Sequence, residues 1–143
     1  MVTQDTTAQR ATTCGCTRAR RTVIDFVLDP CRRSREPLPP SSGDRLVAPD
    51  GVAIRFHASL RGDEVAEARY EASSCATLIA YAELLGDLVV GKPIVRVAVL
   101  DPGILIESLS GVPHARQERA MIVTQAWSSA IARAWQAREA DRI

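Results

Sequence analysis

The stretch APDGVAIRFHASLRGDEVAEARYEASSCA, Ala48 to Ala76, carries the fold. Val52, Ile54, Phe56 and Ala58 alternate with Ala53, Arg55 and His57. That two-residue period predicts a strand with one buried face, because successive strand side chains point to opposite sides. His57 falls on the solvent face in this reading. Arg61-Gly62-Asp63 then puts glycine where a tight hairpin needs a residue tolerant of positive φ. Val65 to Tyr70 follows as the return strand, with a weaker alternation. Ser73 or Ser74 is placed to N-cap a helix through Cys75, Leu78, Ile79, Ala82, Leu85 and Val89, which are apolar at spacings of three and four.

Outward from this segment, Gly91 and Pro93 end the helix. The valines of Ile94 to Leu100 suggest a strand, and Asp101-Pro102 an N-cap and first residue of a short helix carrying Ile104, Leu105 and Leu109. Gly111 and Pro113 stop it. From Gln117 to Arg138 the chain has no proline or glycine. Ala120, Val123, Trp127, Ile131, Ala134 and Trp135 share one broad face of a long helix there, with Trp127 and Trp135 expected on the same side. Upstream, Thr22 caps a short helix bearing Val23, Ile24, Phe26, Val27 and Leu28, ended at Asp29-Pro30. Residues 31–49 hold Pro37, Pro39, Pro40, Ser41, Ser42 and Gly43 and form a proline-rich surface connection. Residues 1–21 lack an apolar period, as a flexible tail does. The expected architecture is one α+β domain over residues 22–143, a small antiparallel β-sheet with helices packed against one face.

The 143 residues suffice for one compact domain. Eighteen Lys and Arg against 17 Asp and Glu leave a formal charge of +1, which argues against a nucleic-acid or anionic-membrane surface. No apolar run approaches the roughly 20 residues of a membrane span. Lys92 is the only lysine. Met1 to Thr13 contains Asp5 and Gln9 and no apolar core, so no signal peptide is expected, and the thiols are read as reduced in a cytoplasmic protein. An organellar matrix is the other setting that the arginine- and threonine-bearing start allows.

Among side chains with chemistry, Cys75 stands out. A cysteine just inside a helix N-terminus meets unpaired backbone N–H groups and the positive end of the dipole, which favour a thiolate. Arg69 and Arg119 add charge if the fold brings them near. The alternative is a buried free cysteine acting as a small hydrophobe. Cys14-Gly15-Cys16 and Cys31 are further thiols for metal binding or sulfur transfer, although their spacing matches neither a C-x-x-C redox motif nor a paired zinc site. His57 and His114 are too few for a histidine-rich metal site. Phosphate-binding glycine loops, H-E-x-x-H and G-x-S-x-G are all absent, so nucleotide-dependent and hydrolase chemistry have no motif.

The same Ala48 to Ala76 segment, with its glycine turn, its E-A-R-Y strand end and a cysteine five residues after Tyr70, resembles the iron-sulfur cluster assembly scaffolds of the IscU and NifU N-terminal family. Asp25-Phe26, Asp29-Pro30 and Arg32-Arg33 resemble that family's first helix and its N-P-R turn. Gly91-Lys92 and the stretch from Pro113 to Ile131 resemble its later landmarks. The resemblance implies a site of three cysteines with an aspartate and a histidine, holding a labile cluster, iron or zinc. In this chain Cys75 matches one cysteine. Pro49 stands where another belongs and Gly51 at the aspartate position, with Asp50 displaced by one. With an insertion, Ser42-Gly43-Asp44 stands instead at the cysteine-glycine-aspartate, again without a thiol. Glu118 and Arg119 stand at the histidine and cysteine. A guanidinium has no lone pair to donate to a metal.

The resemblance therefore implies an iron-sulfur scaffold or carrier with a degenerate site built around Cys75, Asp50, Gly51, Glu118 and Arg119, with Cys14, Cys16 and Cys31 as auxiliary thiols. Its ligand is a labile cluster, iron or zinc, or nothing at all. Its partners are a cysteine desulfurase or a recipient iron-sulfur protein, and a homodimer is a further arrangement that doubles Cys75. The alternative is a non-catalytic subunit that keeps the scaffold fold and docks to a host enzyme complex. An enzyme of independent mechanism has no motif in its favour.

Overall fold

A computed structural model describes residues 41–141 together with the backbone of Arg21–Thr22. The order is β1 (Arg21–Thr22), β2 (Ser41–Ser42), β3 (Leu46–Val47), β4 (Ala53–Arg61), β5 (Glu64–Ala72), α1 (Ala76–Val89), α2 (Ile94–Val97), α3 (Pro102–Ser108), β6 (Leu109–Ser110) and α4 (Arg119–Asp141). A 3₁₀ turn, His114–Arg116, leads into α4. β4 is the central strand. β5 lies antiparallel on one side of it, and β2 and β3 share the other. Arg21–Thr22 pairs in parallel with Leu109–Ser110 as a separate two-stranded ribbon.

The hairpin forms as its residues dictate. Arg61 faces Glu64 across Gly62-Asp63, with Gly62 at φ 63°. The weak alternation of β5 has a local cause. Ser59 faces Glu67 but Leu60 faces Val65, so Ala66 is an extra residue that shifts the phase of the strand. Ile54, Phe56 and Ala58 bury their side chains under α1 and α4. Phe56 meets Trp127 edge-on at 5.7 Å and Tyr70 at 6.0 Å, geometries that aromatic quadrupoles favour. The buried Trp127 indole donates to the Val97 carbonyl at 2.8 Å, so its burial leaves no donor unpaired. Gly43 lets the edge of the sheet touch α4, since a Cβ there would lie 2.5 Å from the Ala130 nitrogen.

Several expectations are corrected. Ser41–Ser42 and Leu46–Val47, inside the stretch read as a surface connection, are the edge of the sheet. An edge strand needs only one row of backbone partners, and short polar segments suffice for it. Asp44 between them turns toward α4, where Arg133 reaches its carboxylate at 2.6 Å and Ser129 Oγ accepts from its N–H at 2.8 Å. Thr22 is a strand residue, not a helix cap. The helix expected beyond it, most of the tail, and Cys14, Cys16 and Cys31 lie outside the described residues. Ile94 to Val97 is a helical turn: Ile94 and Val97 face the core three residues apart, and that packing overrides the β-propensity of the valines. The Asp101-Pro102 start holds, with the aspartate accepting from Gly103 N–H at 3.0 Å.

Trp127 and Trp135 do not share a burial. Eight residues overshoot two turns by about 80°, so Trp127 is fully buried while Trp135 is 39% exposed, its ring under the Arg138 guanidinium at 4.3 Å. His57 is buried rather than solvent-facing. On a central strand, neighbours on both sides crowd the polar face, and His57 Nε2 pairs with Glu71 Oε1 at 2.8 Å.

Candidate functional site

Three chain segments converge at the end of the sheet away from the hairpin turn. The first is the turn from Ala48 to Val52. Ala48 N–H donates to the Val52 carbonyl at 2.8 Å and Gly51 N–H to the Ala48 carbonyl at 2.9 Å. Gly51 adopts φ 95°, which side chains resist, and this leaves Asp50 at the tip.

Cys75 comes from the second segment. Ser73 N–H donates to the Ala53 carbonyl at 2.9 Å and Ser73 Oγ accepts from Ala53 N–H at 2.8 Å, so Ser73 closes the sheet and does not cap α1. The N-cap is Cys75 itself, with no side-chain capping bond. The thiol is partly exposed and free.

Pro113 and the 3₁₀ turn deliver the third segment, in which Arg119 opens α4. Arg119 is 1% exposed. Its guanidinium grips Asp50 with both ends, Nη1 to Oδ1 at 3.1 Å and Nη2 to Oδ2 at 2.5 Å. Arg116 Nη1 adds a third bond to Oδ2 at 3.2 Å, and Glu118 Oε2 lies 3.8 Å from Arg119 Nη1. The arrangement explains how a cation tolerates a helix N-terminus, where the dipole opposes it. Asp50 supplies the compensating charge.

The bond from Arg119 holds the Asp50 carboxyl down at about 2, helped by the Val52 N–H and by Arg116 against partial desolvation. Asp50 in turn raises Arg119 above the usual arginine value, with the nearby Cys75 side chain as a further contributor. The guanidinium thus stands close to both a carboxylate and a thiol.

Sequence reasoning brings Cys75, Asp50, Gly51, Glu118 and Arg119 to one place, and the fold does gather them. It missed the role of Asp50 as the grip on Arg119, and it missed Arg116. The signal was available in a guanidinium at one position where the resemblance implies a ligand and a carboxylate one residue away from another. Arg69 lies on β5 opposite His57, and His114 is exposed in the 3₁₀ turn.

The donor set does not fit a cluster or a zinc ion. Cys75 offers one sulfur, the Asp50 oxygens are taken by two arginines, and Arg119 has nothing to donate. Among the described residues, no three His, Cys, Asp or Glu side chains stand together as a metal-holding group.

A small antiparallel sheet with helices on one face, and a cysteine at a helix N-cap at the sheet's end, defines an α+β domain. The family model of the NifU-like N-terminal domain matches residues 21–141, and the chain belongs to that family. At the family level these are iron-sulfur cluster assembly scaffolds, which generally bind labile clusters. Among solved structures, one described as a hypothetical protein at 2.3 Å resolution is similar with a TM-score of 0.52 and 19% identity, covering 78% of this chain and 94% of its own. That likeness speaks to the fold. No curated protein matches. No helix among the described residues is long and apolar enough to cross a membrane.

Proposed function

We propose that the chain serves iron-sulfur cluster assembly by accepting sulfur on Cys75, without holding a cluster between Asp50 and Arg119. One observation carries the reading: the position at which the family resemblance implies a ligand cysteine is Arg119, buried, gripped by Asp50 and close to the Cys75 thiol. The donor is a persulfide on a cysteine desulfurase. The Cys75 sulfur, as thiolate, attacks the outer sulfur of that persulfide. The donor S–S bond breaks, the donor leaves as its thiolate, and Cys75 retains the sulfur together with its proton. The transferred sulfur keeps its oxidation state, so the exchange balances without an added oxidant or reductant. Arg119 and the open N–H groups of α1 present positive charge to the attacking sulfur and to the donor's departing thiolate. Delivery to a recipient iron-sulfur protein follows by the same exchange in reverse sense, in the cytoplasm, where thiols stay reduced.

The test is intact-mass analysis after incubation with a cysteine desulfurase and cysteine. Wild type gains the mass of one sulfur atom, Cys75→Ser gains none, and a variant with serine at positions 14, 16 and 31 still gains it. Anaerobic iron and sulfide leave no cluster absorption after desalting. A stable cluster spectrum that requires Cys75 overturns the proposal.

A second reading, the non-catalytic subunit of a host complex, is favoured by Val95 on α2 and Val99 just beyond it, which are 89% and 83% exposed. It requires partner capture that survives Cys75→Ser and is lost in Val95→Asp.

A further inference from the structure

The face of β4 opposite Ile54, Phe56 and Ala58 carries a second polar cluster, separate from Cys75. Arg45, just before β3, and Arg55 on β4 line this face together. On the other side Arg55 faces Glu71. Like charges brought together repel. Glu71 offsets one of the two positive charges, while its Oε1 is bonded to His57 Nε2 at 2.8 Å and does not accept from Arg55 Nε. Among the described residues neither Arg45 nor Arg55 has an ion-pair partner, and the Arg55 Nε is buried without a hydrogen-bond acceptor. A cavity of about 380 Å³ opens between Arg45, Arg55, Glu71 and Ser73.

We propose that this cavity binds a small, singly charged carboxylic acid. Charge selects the class: two guanidiniums and one carboxylate leave room for one negative charge, whereas a phosphate dianion overshoots. Shape agrees, because a planar carboxylate matches the guanidinium fork and takes the bond that Arg55 Nε lacks. Ser73 Oγ already accepts from Ala53 N–H, so its hydroxyl proton is free to donate to a second ligand oxygen. Size agrees as well, since ligand pockets run from about 300 to 1,000 Å³ and this one lies at the small end. The same chemistry also comes on a protein, as an aspartate side chain, and the titration below separates the two.

Isothermal titration of the full chain with lactate and acetate tests this, with inorganic phosphate and a capped peptide bearing one aspartate in parallel. Lactate binding saturates, weakens about tenfold in Arg55→Gln, as loss of a charged hydrogen bond requires, and tightens in Glu71→Gln, which removes a like charge. Both side chains lie outside the core, and thermal melts of the variants report their folding. On the wild-type chain, a shift of the Arg55 Nε–H resonance on adding lactate gives a readout that needs no variant. The proposal is overturned if no acid saturates, if Arg55→Gln binds as wild type does, if the Nε–H resonance stays still, or if phosphate or the peptide binds more tightly than lactate.

Discussion

Trp127 and Arg119 are both fully buried side chains of α4, about two turns apart, and they are buried for opposite reasons. Trp127 lies in apolar packing against Phe56, and its one polar group finds a backbone carbonyl. Arg119 keeps its charge and is gripped at both ends by Asp50, which stays half in water, with Glu118 3.8 Å away. The middle of the helix is therefore held by removing apolar area from water, a contribution indifferent to pH. Its first turn is held by an ion pair, where loss of one partner strands the other. Stability lives in the middle and chemical character in the first turn.

Trp127→Ala tests the apolar half most severely. It should cost about 3–5 kcal/mol in urea unfolding, as large core deletions do; a loss near zero would mean the core closes without it. Gly43→Ala comes next, because its Cβ meets the Ala130 backbone at 2.5 Å, and overpacking of this kind costs about 1–3 kcal/mol. An unchanged midpoint would show that the edge of the sheet moves freely off α4.

The charged half is tested by pH. Asp50 is held from 3.8 down to about 2 in the folded chain, so its contribution is complete above pH 4 and is lost as the pH falls through 4 toward 2. Asp50→Asn should be less stable than wild type at neutral pH and converge with it by pH 2. Parallel urea midpoints across that window would break the comparison.

Tyr81 sharpens it from within the core, since its hydroxyl is buried without a partner and burial pushes the phenol upward. Tyr81→Phe should be neutral or stabilising by about 1 kcal/mol in thermal unfolding, because it removes an unpaired polar group. The smallest effect belongs to Trp135→Ala, about 0.5–1 kcal/mol from one exposed contact with Arg138. A loss matching Trp127→Ala would mean that the two tryptophans share one core.

The hairpin, its glycine turn, α1, the Asp101-Pro102 start and α4 were legible because local periodicity and turn chemistry act within a few residues. His57 was misplaced because strand alternation assigns a side, and only the strands flanking β4 determine how crowded that side is. Ile94 to Val97 was misread because valine's strand preference is weak beside the burial of Ile94 and Val97 against the core. The polar edge at Ser41 to Val47 has no period to read and exists because β4 offers it partners.

By itself, the sequence determined the α+β plan and the single cysteine among the described residues. It also carried the charges of Asp50 and Arg119. Tertiary structure alone decided that Asp50 and Arg119, 69 residues apart in the chain, form one bidentate pair against Cys75. An ion pair between distant segments has no local signature, because its energy depends on separation and burial that exist only once the turn after β3 and the start of α4 have been packed against the same end of the sheet.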